Sequence, residues 1–147
     1  MATNSLYIDM RYESNDLKFD AAGKPPVFVR SDSVVVVGQV AGNLSGLVVK
    51  ASVCKVLPDG SIGPPVYSRT IGSGITMSSP SPNERRVAVA LIQVGENAAD
   101  RPGQQYVADI EFSYNQDFSV GTTVGTAVPM RRTLKGAFSI EEDYTIV

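Results

Sequence analysis

Residues 105–114 read QYVADIEFSY, and two kinds of side chain alternate along them. Even-numbered positions carry apolar or aromatic side chains, namely Tyr106, Ala108, Ile110, Phe112 and Tyr114. Odd-numbered positions carry Val107, Asp109, Glu111 and Ser113. Because successive side chains of a β-strand point to opposite faces, this period of two predicts a half-buried strand with one solvated face.

The same period recurs on both sides of this stretch. RVAVALIQV (86–94) and GLVVKASVCKV (46–56) alternate in the same way, with Lys50 and Ser52 on the predicted outer face. SVVVVGQV (33–40) is a β-branched run, which predicts a strand covered on both faces. VPMRRTLKGAFSI (128–140) predicts two strand pieces that meet near Gly136.

Turn-forming stretches rich in Gly, Pro, Asn, Asp and Ser separate these segments, for example PDGSIGPP (58–65), GSGITMSSPSPNE (72–84) and DRPGQQ (100–105). Strands at a spacing of roughly 10–15 residues with turns between them are typical of an antiparallel sandwich or barrel. One helical turn is predicted at residues 96–100, just before Pro102. The sequence therefore predicts an all-β fold.

The first 28 residues differ from the rest. SLYIDMRYES (5–14) alternates as a strand, and Pro25 and Pro26 cannot donate ladder hydrogen bonds. We expect an N-terminal β-arm or hairpin over residues 1–28 and a separate β-sandwich over residues 29–147. The arm is predicted to clasp a neighbouring subunit through Leu6, Ile8 and Met10.

Composition narrows the function. A chain of 147 residues predicts one core, and a net charge of −2 without a basic stripe predicts no nucleic-acid partner. No stretch approaches the ~20 apolar residues of a membrane span, and no secretory signal opens the sequence, so we expect a soluble protein without a membrane partner. The lone cysteine, Cys54, is expected to be a buried structural thiol.

Motifs for catalysis are missing from the sequence. The chain has no histidine, which excludes Ser-His-Asp and Cys-His catalysis and the common zinc sites. Asp109 and Glu111 lie about 7 Å apart on one predicted strand face, but a solvated strand face accounts for them. The acidic run at residues 141–143 lacks EF-hand spacing. We therefore expect no catalytic residues, no metal site and no cofactor.

Five short motifs follow one another in a recognisable order. They comprise Leu44, Ser45, Gly46 and Val49; Gly72, Gly74 and Ile75; Val87, Val89 and Leu91; Pro102, Gly103, Tyr106, Asp109, Ile110 and Glu111; and Gly136, Phe138, Ile140, Asp143 and Thr145. Together they resemble the Ig-like β-sandwich at the N-terminus of phage upper-baseplate proteins, which also occurs in small virion proteins of tailed phages and prophages.

The resemblance implies an Ig-like antiparallel β-sandwich in a non-enzymatic virion structural protein. Such a protein is an adaptor or attachment component of the tail, neck, baseplate or fibre apparatus. It is assembled in the host bacterial cytoplasm, contacts other virion proteins and forms a homo-oligomer within a symmetric assembly. Baseplate proteins usually carry a long C-terminal extension and lack the N-terminal arm, and both differences favour a small stand-alone component.

Two alternatives stay open. A capsid cement (decoration) protein that bridges major-capsid subunits would have the same composition. A host-surface glycan-binding module would use loops such as residues 78–84 and 115–125, although the chain has no tryptophan and only 7% aromatic residues.

The closing stretch MRRTLKGAFSIEEDYT (130–145) is expected to be the last strand, with Leu134, Phe138 and Ile140 packed inward. Its cations, Arg131, Arg132 and Lys135, are expected to face outward. They either keep the surface soluble and block edge-to-edge pairing, or form ion pairs with the acids of a neighbouring subunit. Candidate acids for such pairs are Glu141, Glu142 and Asp143.

Overall fold

A computed structural model describes residues 2–9, 17, 26–41, 44–81, 84–116 and 127–142. Within these residues the fold is all-β, as the alternation predicted. The nine strands are β1 (Ala2–Asp9), β2 (Val27–Val29), β3 (Val34–Ala41), β4 (Leu44–Val56), β5 (Ile62–Ile71), β6 (Gly74–Ser81), β7 (Glu84–Ile92), β8 (Gln105–Gln116) and β9 (Val128–Glu141).

The strands hydrogen-bond in the order β1-β3-β7-β6-β5-β4-β8-β9-β2. Most neighbours are antiparallel, whereas β1 with β3, β2 with β9, and β5 with β6 are parallel. The β5–β6 connection is the weakest in the series, because only Thr70–Gly74 and Ile71–Ile75 are paired there. The two halves of the strand order therefore meet across a narrow seam.

One hydrophobic core lies between these strands, and β8 runs through its centre. The even-numbered side chains of β8 are buried from Tyr106 to Tyr114, while Asp109 and Glu111 on the other parity are partly exposed. The predicted inward positions of β4 and β7 are buried as well, namely Leu47, Val49, Ala51, Val53, Val87, Val89 and Leu91. Period-two alternation thus correctly predicted which face each of these strands buries.

Three predictions about the strands were wrong in detail. Residues 62–65 and 74–81 were predicted as parts of turns, but they belong to β5 and β6. Val34, Val36 and Val40 of β3 are buried, but Val37 is 37% exposed, so β3 is not covered on both faces. β9 is one continuous strand rather than two pieces, because it pairs with β8 at twelve successive positions and Gly136 lies opposite Ala108 without a shift. An unbroken ladder of hydrogen bonds outweighs the weak local preference of one glycine.

The N-terminal region contributes to both ends of the strand order. β1 pairs with β3 at one end, and β2 pairs with β9 at the other. Leu17 is buried in the core, and its backbone N–H donates to the carbonyl of Lys135 at 2.7 Å. The division at residue 28 and the clasping of a neighbour stay predictions. Met10 and the side chains of Leu6 and Ile8 lie outside the described part.

Candidate functional site

The loop between β7 and β8, residues 93–104, organises one end of the sheet. Where one helical turn was predicted, successive tight turns occur: Glu96 N–H donates to Gln93 at 3.1 Å and Asp100 N–H to Asn97 at 3.0 Å. The Asn97 side chain is buried, and its Oδ1 accepts from the backbone N–H of Ser31 at 2.8 Å. These bonds hold the loop against the turn that joins β2 to β3.

Tyr106 connects this loop to the core. Its ring is fully buried and stacks on Phe138, with centroids 5.1 Å apart and planes 20° apart. The hydroxyl donates to Oδ2 of Asp100, whose Oδ1 accepts from Nζ of Lys55 at 2.6 Å. Burial, followed by this hydrogen bond and the negative charge of Asp100, raises the pKa of Tyr106 above its usual range. Tyr106 is therefore a neutral donor at ordinary pH.

Arg30 ties the ends of β2 and β9 to the same loop. Its Nη1 donates to the backbone carbonyl of Asp100 at 3.0 Å, and its Nη2 forms an ion pair with the Glu142 carboxylate. Its backbone N–H donates to the carbonyl of Glu141 at 2.9 Å. We call Arg30, Lys55, Asp100, Tyr106 and Glu142 the corner network. It joins segments that lie up to 112 residues apart in sequence.

A second charged cluster spans the seam between β5 and β6. Arg69 of β5 is buried, and its Nε donates to the carbonyl of Ala90 in β7 at 2.8 Å. Its Nη2 pairs with the Glu96 carboxylate, which also accepts from the backbone N–H of Gln93 at 2.5 Å. The guanidinium carbon lies 5.4 Å from the ring centroid of Tyr67. Arg69 thus adds a polar connection where the strand ladder is thinnest.

Gly74 makes room for Arg69. A Cβ at residue 74 would lie 2.5 Å from Cδ of Arg69, and the backbone φ of +90° is one that other residues rarely adopt. The tight turn is closed by hydrogen bonds of about 3 Å between Thr70 and Ser73 in both directions. The GSGI motif is therefore explained by a turn geometry and by the passage of one buried side chain.

An open cleft of about 420 Å³ adjoins the corner network. Its walls are the start of the β4–β5 turn and the segment that leads into β8: Lys55, Val56, Leu57, Pro58, Arg101, Pro102, Gly103, Gln104 and Gln105. The Gln104 side chain connects the two walls by hydrogen bonds. Its Nε2 donates to the carbonyls of Val56 at 3.1 Å and of Gln105 at 2.8 Å. We call this the corner cleft.

The described cations and acids of the predicted interaction site lie on both parities of β9 and just after it. Arg131 and Lys135 are exposed on β9, as expected, and Leu134, Phe138 and Ile140 are buried, as expected. Arg132 was expected to face outward with them, but it lies on the same strand parity as Leu134 and is only partly exposed. Consecutive residues of a strand point to opposite faces, so Arg131 and Arg132 cannot both face outward.

The predicted acidic run is divided as well. Glu141 is exposed at the end of β9, whereas Glu142 is engaged by Arg30 within the chain. Asp143 lies outside the described residues. Asp109 lies opposite Lys135 in the strand register and Glu111 lies opposite Lys50, so each carboxylate has one lysine directly across from it on a neighbouring strand.

Cys54 is partly exposed rather than buried as predicted. Its position on β4 explains this, because Val53 and Cys54 point to opposite faces and Val53 takes the core position. Partial burial, with a smaller contribution from Asp109, raises the pKa of the thiol. The protonated, weakly nucleophilic form therefore predominates.

Sequence reasoning missed the corner network and the Arg69 cluster. Alternation assigned Tyr106 to the core but does not predict the hydrogen-bond partner of its hydroxyl. The partners of Arg30 and Arg69 are remote in sequence. The one local signal is an aspartate six residues before the first aromatic residue of a strand, as in DRPGQQY (100–106).

The described residues contain no group of three or more His, Cys, Asp or Glu side chains suited to a metal ion. Among the same residues, no helix is long and apolar enough to cross a lipid bilayer.

Comparison with models of protein families, with curated proteins and with solved structures finds no significant match to the chain.

Proposed function

We propose that the chain is an Ig-like β-sandwich and a non-enzymatic structural protein of a phage virion, acting as an adaptor in the tail, neck, baseplate or fibre apparatus. The strand order supports the Ig-like sandwich. The resemblance of the motifs, the corner network and the exposed apolar side chains support the virion function.

The strand order supports an Ig-like sandwich. Variable-type Ig domains have strands B, E and D in one layer, and strand C′ joins C, F and G in the other. The series β3-β7-β6 corresponds to B-E-D, and β5-β4-β8-β9 corresponds to C′-C-F-G. The two-pair seam between β5 and β6 is where two such layers would separate. β2 adds a strand beside β9, and β1 adds one beside β3.

Tyr106 supports the same fold. Ig domains carry a "tyrosine corner", in which a tyrosine near the start of strand F hydrogen-bonds to the chain a few residues upstream. Tyr106 is the second residue of β8, the strand that corresponds to F, and its hydroxyl binds Asp100 upstream. Here a carboxylate accepts the bond rather than a backbone carbonyl, and Lys55 balances its charge.

The residues of the five motifs that the structure describes lie on β4, on the turn that leads into β6, on β7, on β8 with its preceding loop, and on β9. Asp143 and Thr145 of the last motif lie outside the described residues. Among the described glycines and apolar positions of the motifs, Gly74 admits Arg69, while Val87, Val89 and Phe138 are buried. The motif residues therefore have structural roles in this fold, as expected of residues that define a β-sandwich motif.

A rigid body with exposed contact points suits an adaptor. The corner network pins the loop ends, so that little conformational entropy is lost when they contact a partner. Apolar side chains that are more than half exposed supply anchors, namely Val27 (55%), Ile62 (55%) and Val94 (79%). β1 and β2 end the order of the described strands, and each has one edge that pairs with no other described strand and on which a partner strand could add.

The copy number in particles tests the function. Particles are purified from the bacterial culture that produces this chain, and its copies are counted by quantitative mass spectrometry against the major capsid protein. About six to a few tens of copies would match the rotational symmetry of a tail or neck. Hundreds of copies in fixed ratio to the capsid protein would instead indicate capsid cement, and absence from particles would overturn both virion functions.

A deletion tests the clasping arm. The structure sets its boundary, because removal of residues 1–28 would also remove the buried Leu17 and β2. Removal of residues 1–9 takes away β1 alone. We expect a folded protein that no longer enters particles, with folding checked by circular dichroism. Normal incorporation of this shortened chain would contradict the role of the arm.

A further inference from the structure

We propose that the corner cleft binds an acidic, extended segment of a neighbouring protein. This inference rests on the proposed adaptor function and names the chemistry of its partner. The residues that line the cleft include two cations, Lys55 and Arg101, and no acid. A segment that carries carboxylates between apolar residues fits this lining.

Arg101 is the principal recognition group. Its side chain is exposed, and none of the side-chain hydrogen bonds or ion pairs of the described residues involves it. A guanidinium donates two parallel hydrogen bonds to a carboxylate, which gives this residue geometric selectivity for an acidic side chain. In contrast, Arg30 and Arg69 have their guanidinium groups committed to Glu142 and Glu96.

The two nearby aspartates, Asp59 and Asp100, do not cancel this attraction. Asp59 lies outside the cleft lining, and its Oδ1 accepts from the backbone N–H of Ser61 at 2.9 Å and from the Ser61 hydroxyl at 2.6 Å. Asp100 is not part of the cleft lining, and both of its carboxylate oxygens are occupied, Oδ1 by Lys55 and Oδ2 by Tyr106. The side chain of Lys55 remains 32% exposed and completes the positive wall. The positive charge at the mouth therefore belongs mainly to Arg101, with Lys55 positioned beside it.

The walls are preorganised. Pro58 and Pro102 have fixed backbone angles, and the Gln104 amide bridges the carbonyls of Val56 and Gln105. A cleft of about 420 Å³ lies within the usual size range of ligand sites. A short extended segment can therefore bind without reorganising the loop.

An apolar rim extends the site along the β4–β5 hairpin. Leu57 lines the cleft and is 42% exposed, and Ile62 lies opposite Val56 in the strand register. The Leu57 side chain lies over Gly63, where an added Cβ would be 3.3 Å from its methyl carbon. Apolar residues that flank the carboxylates of the partner would cover this rim.

The test uses the full chain, uniformly labelled with ¹⁵N, and a synthetic LEEEL peptide as probe. Amide shifts are followed by NMR during titration, with LKKKL as the matched control peptide. We expect shifts confined to Lys55, Val56, Leu57, Arg101 and Gln104–Gln105, and we expect affinity to fall with added salt. No shifts, equal shifts with LKKKL, or shifts elsewhere would overturn the proposal.

Two charge reversals locate the effect. Arg101→Glu should weaken LEEEL binding by about tenfold or more, since it removes a charge-assisted bidentate contact. Arg86→Glu makes the same charge change on β7, outside the cleft lining and at a side chain that is 63% exposed, and should leave affinity within about twofold. Equal weakening by both variants, or displacement of the peptide by an equal concentration of inorganic phosphate, would show only general anion attraction and overturn the peptide site.

Incorporation separates this inference from the proposed function. If the unmodified chain is present in particles and Arg101→Glu enters them normally, the cleft is not the docking site, although the virion function stands. If the unmodified chain is absent from particles, the proposed function fails, and the titration alone decides whether the cleft binds an acidic peptide.

Discussion

The corner network and the outer face of β8 and β9 use the same charged residue types with opposite physical consequences. In the corner network, Lys55 and Asp100 have side chains 32% and 12% exposed, and Asp100 also accepts from a fully buried tyrosine. On the outer face, Lys135 stands exposed opposite Asp109. Both regions pair a lysine with an aspartate, but only the corner network places a mostly buried carboxylate beside a buried hydroxyl.

The difference shows why charge pattern alone does not identify structural ion pairs. Removing the partners of a partly buried, hydrogen-bonded carboxylate costs free energy, because water does not replace them fully. When an exposed ion pair breaks, water solvates both charges, so the pair contributes little to stability. The corner network should therefore be sensitive to single substitutions and the outer face tolerant of them. Four predictions test this contrast, beginning with the seam next to the corner.

The largest effect is expected from Gly74→Ala. The added Cβ would collide with Arg69 at 2.5 Å and would sit on a backbone with φ of +90°, so we expect a loss of about 2–4 kcal/mol in unfolding free energy. Urea denaturation measures it. Gly72→Ala is the matched control, because φ is +88° there and no atom lies within 4 Å. Equal losses for both variants would show that backbone strain alone matters and that Arg69 does not.

Tyr106→Phe should have the next largest effect. It removes the hydroxyl that donates to the Asp100 carboxylate and should cost about 1.5–3 kcal/mol, by the same measurement. Tyr114 lies on the same strand and is buried, and no hydrogen bond of its hydroxyl to the described residues is present. Tyr114→Phe should therefore change stability by less than about 0.5 kcal/mol. A reversed order of the two variants would contradict the role of the corner network.

Alkaline pH should weaken the fold through the same hydroxyl. Burial is the chief reason why the pKa of Tyr106 is higher in the folded chain than in the unfolded chain. The hydroxyl of Tyr106 therefore makes its full contribution to the free energy of unfolding below the usual tyrosine pKa of about 10. Above about pH 10 the unfolded chain loses the proton and the folded chain keeps it. Stability should then fall by up to about 1.4 kcal/mol per pH unit for this group.

The pKa of Tyr67 is also raised, first by burial, and adds in the same direction. Unfolding free energies measured between pH 8 and pH 11 should show a shallower decline for Tyr106→Phe than for the unmodified chain, and the shallowest decline for the double variant with Tyr67→Phe. Parallel curves for all three proteins would show that these hydroxyls do not titrate differently on folding.

The smallest effects are expected from the paired lysine variants. Lys55→Met removes the partner of the Asp100 carboxylate and should cost about 1 kcal/mol, because the pair is only partly buried. Lys135→Met alters an exposed cation on the outer face and should stay within about 0.5 kcal/mol. If Lys135→Met were the more damaging of the two, the contrast between the regions would fail.

The alternation of side chains predicted more of the core than of the candidate site. The buried parity of β4, β7, β8 and β9 follows from a local rule, since strand side chains alternate whatever the neighbouring strand is. The same rule was misapplied to Arg132, which was grouped with its neighbour Arg131 by charge although parity places it with Leu134. The position of a residue along the strand therefore predicts the face of its side chain better than its residue type does.

The corner network and the corner cleft lay beyond such reasoning. Arg30 meets Glu142 across 112 residues, and Arg69 meets Glu96 across 27. Which charges become partners depends on the strand order, and neither hydrophobic period nor charge spacing encodes that order. The cleft likewise arises only because the β4–β5 turn and the segment before β8 end beside each other.

By itself, the sequence determined the all-β class, the position of most strands and the buried face of β4, β7, β8 and β9. It did so because a period of two is a property of the extended backbone and needs no partner. The tertiary structure alone decided the parallel positions of β1 and β2, the seam at Arg69 and the choice of ion-pair partners. These depend on contacts between residues distant in the chain, whose energies exist only once the strands have assembled.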